Sequence, residues 1–155
     1  YSMTGWRIGY AAGNAKLIAA MAKVQSQSTS NPCSISQVAA QAALEGDQGF
    51  IGEMVSAFKE RHDYVLGALN AVPGFRCIAS QGAFYAFFSV KEAMDRVPGM
   101  KNDVQFAEHL LETTGVALVP GSAFGVPGYM RLSFATDMGT LRAAMQRLAD
   151  GLASA

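Results

Sequence analysis

The chain has 155 residues, half of them hydrophobic and 15% charged, and its basic and acidic side chains balance to zero formal charge. That length suits one domain with a sizeable core, and the neutral balance gives no electrostatic case for nucleic acid or an anionic membrane as partner. No apolar run is long enough to cross a bilayer, and the N-terminus lacks the charged and apolar regions of a leader peptide, so the expectation is a cytoplasmic protein. Its two cysteines, Cys33 and Cys77, stand far apart in no metal-like spacing and read as isolated buried thiols in a reducing compartment rather than a disulfide. A neutral, apolar-rich composition also fits a piece of a larger interface.

Taken in order, Tyr1 to Tyr10 reads as a strand. Alternation then puts Thr4, Trp6, Ile8 and Tyr10 on one face, and Gly5, Arg7 and Gly9 on the other. The second face is a lone guanidinium between two bare backbone positions. Glycine lets another group approach closely, and Arg offers a fork of donors matched to phosphate or carboxylate. An edge strand with a solvated Arg is the plainer alternative.

Asn14 can cap a helix from residue 15 to about 25, with Leu17, Ile18, Met21 and Val24 at helical spacing. Ser26 to Pro32 is a polar loop, because the residue before a proline disfavours helix. Ser34 is expected to cap a second helix running to about Leu44. A long amphipathic helix follows, Phe50 to Leu69, ended by Val72-Pro73-Gly74. His62 in that helix and His109 further on have no metal-ligand spacing around them, and both read as packed or half-exposed residues.

From Phe75 the pattern is α+β. Phe75–Ile78 and Ala83–Phe88 read as strands, and Lys91–Met94 as a helical turn. Asn102 or Asp103 caps a helix with an inner stripe of Phe106, Leu110 and Leu111. Val116–Val119 is expected to be a short strand, and Pro120-Gly121 a type II turn. Four of the five prolines stand in Val-Pro-Gly triplets whose irregular spacing argues for shared turn chemistry rather than a repeat. Tyr129 to Ala135 alternates sharply, with Met130, Leu132 and Phe134 inward and Arg131 on the opposite face. A solvent-facing strand Arg is the plain alternative there. Asp137 starts a closing helix with Met138, Leu141, Met145, Leu148 and Leu152 inside.

Three stretches carry a resemblance. Tyr1-Ser2-Met3-Thr4-Gly5-Trp6-Arg7-Ile8-Gly9-Tyr10 matches, without a gap, the end of the Ser-Lys-x-Tyr/Phe-Ser-Met-Thr-Gly-Trp-Arg-Ile/Leu-Gly-Tyr pattern. Gly82-Ala83-Phe84-Tyr85 resembles the core of a Pro-x-Gly-Ala-Phe-Tyr strand, with Ser80 in place of the usual Pro. Pro120-Gly121-Ser122-Ala123-Phe124-Gly125, followed by Tyr129-Met130-Arg131-Leu132-Ser133-Phe134-Ala135, resembles a closing motif. All three belong, in this order, to fold-type-I pyridoxal-phosphate aminotransferases of the aspartate aminotransferase class I/II family.

The resemblance implies an α/β fold: residues 1–47 as the end of a large cofactor-binding domain, then residues 48–155 as a linking helix and a small α+β domain. It implies pyridoxal 5′-phosphate as cofactor, with Arg7 on its phosphate. Arg131 would bind the substrate α-carboxylate, and Phe84 would line the substrate pocket. It implies transfer of an amino group between an amino acid and a 2-oxo acid, and a homodimer in which the Ser30-Asn31-Pro32 loop reaches toward the partner.

The family's Schiff-base lysine would fall two residues before Tyr1. The expectation is therefore the C-terminal part of an enzyme, with no catalytic residue of its own and no activity alone. In one dicarboxylate-specific subgroup an Arg precedes the Ser-Asn-Pro segment by four residues; here Ser26 holds that place. The same broad class also hosts carbon–sulfur lyases and related synthases, and a non-catalytic interaction module is the alternative of a different kind.

Overall fold

The computed structural model describes residues 1–153. The described chain divides into two compact units, Tyr1–Glu53 and a second from Met54 on.

The first unit is helical. Helix α1, Ala15–Ser28, begins where the Asn14 side chain accepts a hydrogen bond from the Lys16 N–H at 3.0 Å. This is the expected cap, and the helix runs about a turn longer than its apolar spacing indicates. Helix α2 is Ser34–Glu45, but Cys33 holds the N-cap position, with no side-chain hydrogen bond. Ser34 is already helical and so is not the cap. Helix α3, Gly49–Ala71, starts in this unit and continues into the second.

The opening segment is not a strand. Met3 C=O accepts the Trp6 N–H at 3.0 Å, closing a 3-10 turn over Thr4–Trp6, and Arg7 follows with φ 51°. A strand needs a neighbour for its N–H and C=O groups. No described segment supplies one here, so the backbone closes on itself. The segment is tied instead by the Ser36 hydroxyl, which donates to Trp6 C=O at 2.8 Å, and by Tyr1, whose hydroxyl donates to Gln48 Oε1 at 2.7 Å.

The second unit is a four-stranded antiparallel sheet with helices on one face. Strands β1 (Arg76–Cys77), β2 (Tyr85–Ser89), β3 (Val119–Pro120) and β4 (Tyr129–Ser133) lie in the order β1-β2-β4-β3. Helices α4 (Lys91–Met94), α5 (Asp103–Thr114) and α6 (Met138–Ala153) complete it. The two central strands carry the alternation expected of them. Ala86 and Phe88 of β2 and Met130 and Leu132 of β4 face inward and are buried with Val65 and Leu69 of α3, Phe106 and Leu110 of α5, and Leu141, Met145 and Leu148 of α6.

Two details depart from the pattern. Leu111 is half exposed rather than part of the α5 stripe. Val116–Val119 contributes only its last residue to β3, and Gly121, which lacks a positive φ, begins a 3-10 turn over Gly121–Phe124 instead of completing a type II turn. A side chain at Gly121 would stand 2.4 Å from Val126 C=O and 2.7 Å from the Tyr129 Cβ, so that glycine serves close packing. In the other three triplets Gly74, Gly99 and Gly128 do have positive φ, as such turns require.

Candidate active site

The face of the sheet turned away from the core is where the chemistry-bearing side chains gather. Register pairs Tyr85 with Ser133, Phe87 with Arg131, and Ser89 with Tyr129 across β2 and β4. Strand pleating sends all six to the face opposite Phe88 and Met130. Arg131, half-buried, stands in the middle of this floor.

Two aromatic rings hold its guanidinium. The Arg131 Cζ lies 4.4 Å from the Tyr85 ring centre and 4.6 Å from that of Phe124. Tyr85 comes from β2 and Phe124 from the 3-10 turn after β3. Phe87 backs this arrangement, meeting Phe124 edge-on at 6.2 Å and stacking on Tyr129 at 5.2 Å. Lys91 adds a second positive group, its Nζ 5.5 Å from the Tyr129 ring centre.

The rings satisfy the π-surface of the guanidinium but not its N–H donors. Those donors make no hydrogen bond or ion pair to a described residue. Arg131 therefore presents a charged fork of donors that no described side chain or backbone group takes up. Holding the side chain still before a ligand arrives removes ordering entropy that binding would otherwise cost. A planar carboxylate, met by two parallel N–H bonds, is the group this geometry suits.

Phe84 stands just before β2, where its C=O accepts the Phe134 N–H at 2.9 Å. Its ring is half-buried against the core, 6.4 Å from Phe58 and 4.3 Å from Tyr85. It borders the floor beside Tyr85. Ala83 before it has φ 64°, a conformation uncommon for a residue with a Cβ.

Arg7 belongs to the first unit. It is exposed, and its Nη1 donates to Thr4 C=O at 3.0 Å. A Cβ built on Gly5 or Gly9 would meet nothing within 4 Å, so the backbone on both sides is open to a bulky anion. Arg7 and these bare positions fit one cationic contact to a phosphate group.

His62 is engaged on both ring nitrogens and on its edge. His62 Nε2 accepts the Ser80 N–H at 3.2 Å, its Nδ1 lies 3.0 Å from Asp63 Oδ1, and its ring meets Phe134 edge-on. Lys59 and then His62, by hydrogen bonding, hold the Asp63 carboxyl below its ordinary range. Neither cysteine is the buried thiol expected of it, Cys33 being exposed and Cys77 half-buried; that partial burial raises the Cys77 thiol above its ordinary value. Among the described residues there is no cluster of His, Cys, Asp or Glu fit to hold a metal, and no helix is long and apolar enough to cross a membrane.

Sequence reasoning singled out Arg131 but not the ring partners of its guanidinium. Tyr85 was within reach, since its parity in β2 puts it on the floor once β2 is paired with β4. Phe124 was not, because nothing in a turn's sequence says which way its ring lies.

The second unit is thus a helix-backed antiparallel sheet that presents an Arg held between two rings on its open face. Comparison with known proteins places it. The family model for aminotransferase class I and II matches residues 1–148. The aspartate/prephenate aminotransferase of Nitrosomonas europaea is 53% identical over 154 residues, covering 96% of this chain and 39% of that protein. An aspartate aminotransferase of Rhizobium meliloti is 48% identical over 153 residues, covering 96% of this chain and 37% of that protein. The crystal structure of the aspartate aminotransferase from Rhizobium meliloti superposes with a TM-score of 0.83 at 46% identity, over 99% of this chain and 39% of that one. That of Thermus thermophilus with maleate gives 0.80 at 40% identity, over 97% of this chain and 38% of that one. The chain belongs to the aminotransferase class I and II family, and it spans less than half the length of these relatives.

Proposed function

We propose that this chain is the carboxylate-binding part of a pyridoxal-phosphate aminotransferase that moves an amino group between an amino acid and a 2-oxo acid. The observation that carries the reading is the Arg131 guanidinium, clamped by Tyr85 and Phe124 so that its planar donor fork is set on the open face of the sheet, in a chain of this family.

Arg131 takes the α-carboxylate that every amino acid and 2-oxo acid substrate shares. Fixing that group by two parallel hydrogen bonds sets the orientation of the bonds at the α-carbon. Arg7, exposed and flanked by open glycines, takes the cofactor phosphate, and Phe84 borders the substrate beside Tyr85. When bound, the cofactor supplies an electron sink for the carbanion formed at the α-carbon. The lysine that holds it and acts as general base, and the carboxylate that keeps its ring nitrogen protonated, have no candidates among these residues.

Residues 1–47 are read as the end of the cofactor-binding domain, and residues 48–155 as the linking helix with the small domain. Two copies associate through the first unit, a reading supported by Leu17, Met21, Val24, Ile35 and Val38, all exposed on α1 and α2. The names of relatives near 50% identity point to aspartate as amino donor. Ser26, whose hydroxyl donates to Lys23 C=O, offers no charge for a second carboxylate, so another residue must provide it.

The test is Arg131→Leu in the whole protein. Losing two hydrogen bonds to a charged group removes about 3 kcal/mol or more, so kcat/KM falls about a hundredfold or more for every amino donor and 2-oxo acid alike. Activity within about threefold of the parent overturns the reading. The 155-residue chain alone, titrated with pyridoxal phosphate, forms no borohydride-trappable adduct; a saturable one at a single lysine would refute that part.

A further inference from the structure

Asp103 is a carboxylate in the wrong place for a surface acid. It is the first residue of α5 and only 2% exposed, and no cation among the described residues pairs with it. Burying an ionised group is costly unless its lone pairs are met. It is not needed to cap the helix, because Asn102 does that, accepting the Gln105 N–H at 2.9 Å. Instead, Asp103 Oδ2 accepts the Ser122 N–H at 2.7 Å.

Ser122 lies in the turn that delivers Phe124. The early N–H groups of a 3-10 turn have no partner inside it, and Asp103 supplies the acceptor from α5. The turn itself is closed, with the Gly125 N–H donating to Ser122 C=O and the Val126 N–H to Gly121 C=O, both at 3.0 Å. Gly121 is pressed against Tyr129. The turn is thus closed on itself, and the Asp103 bond reaches it at Ser122, two residues before Phe124.

We propose that Asp103 is a positioning residue for Arg131. Through the Ser122 amide it fixes the Gly121–Phe124 turn, so that the Phe124 ring closes the second face of the guanidinium and keeps the donor fork set for a carboxylate. This rests on the reading of Arg131 as the carboxylate receptor, but the position of the ring is measurable without it.

Two measurements separate the claims. In the 155-residue chain, ring currents from Tyr85 and Phe124 displace the Arg131 Nε–H resonance. D103L, of similar size but with no acceptor, moves that resonance toward its exposed position, while D103N, whose amide oxygen still accepts the Ser122 N–H, keeps it displaced. In the whole protein D103L raises KM about tenfold for amino donor and 2-oxo acid alike with kcat within about threefold, and D103N restores most of the parent KM. In an Arg131→Leu background D103L adds no further rise.

An unmoved resonance in D103L overturns the proposal, as does an equal KM rise with or without Arg131. If Arg131→Leu leaves the kinetics intact while D103L still moves the resonance, the carboxylate reading falls and the positioning role stands. Should D103L not fold, Phe124→Leu removes the half-exposed ring and leaves Asp103 in place; an unchanged KM in that variant overturns the proposal equally.

Discussion

Asp137 opens α6 with its carboxylate taking two bonds from one residue, the Thr140 hydroxyl at 2.6 Å and the Thr140 N–H at 2.9 Å. These hold its pKa below the ordinary 3.8. A depressed folded pKa means the ionised form is favoured by folding. Its contribution is therefore complete above 3.8 and is lost as pH falls through the lower folded value. Asp137→Ala lowers Tm at pH 7, and the gap to the parent closes in melts run at a pH below both values; a constant gap would mean the cap acts without its charge. The sequence places the start of α6 within one residue of this position because a helix start is local, settled by a side chain and the next turn. Arg131 was legible for a similar reason, since two residues of alternation give its face. Its clamp was not, because Tyr85 and Phe124 come from segments whose pairing a single sequence does not state. Asp103 stood next to a better cap, which concealed its reach to Ser122.

Among the elements, the long helices and central strands follow from periodicity because each buries a stripe that must repeat. The opening ten residues do not. Their alternation describes a strand with a partner, and a segment without one takes a 3-10 turn that satisfies its donors internally. Turn chemistry was half legible: Pro-Gly marks the corner, but the neighbours decide its type. The Val-Pro-Gly triplets allow that to be measured. Gly74 has φ 88°, and a Cβ there would stand 2.6 Å from the Ala93 N; Gly99 has φ 85° with nothing within 4 Å. Gly99→Ala therefore carries only the left-handed cost, about 1 kcal/mol. Gly74→Ala adds a backbone collision and loses about 3 kcal/mol or more. Denaturant midpoints at constant slope read both. Equal losses would show that α4 shifts to admit the methyl group.

At the scale of the whole molecule the two units differ in what holds them. From Met54 on, Phe88, Phe106, Leu110, Met130 and Leu148 are fully buried in one cluster. In Tyr1–Glu53 the buried residue is Ser36, and α1 buries none of its 14. A helix of that length is marginal in water unless tertiary packing supports it. In the 155-residue chain, then, the second unit should open only by global unfolding, and α1 by local fraying at much lower free energy. Native-state hydrogen exchange tests this directly. Amides of β2, β4, α5 and α6 should share one high opening energy, while those of α1 exchange orders of magnitude faster. Phe106→Ala should lower the high value by about 3–5 kcal/mol and leave α1 unchanged, because the cluster Phe106 belongs to has no member from α1. Equal protection in α1 would mean its apolar face finds cover, and a protection that rises with chain concentration would identify the cover as a second copy. Slow exchange in α1 independent of concentration would contradict the division into a cored and an uncored unit.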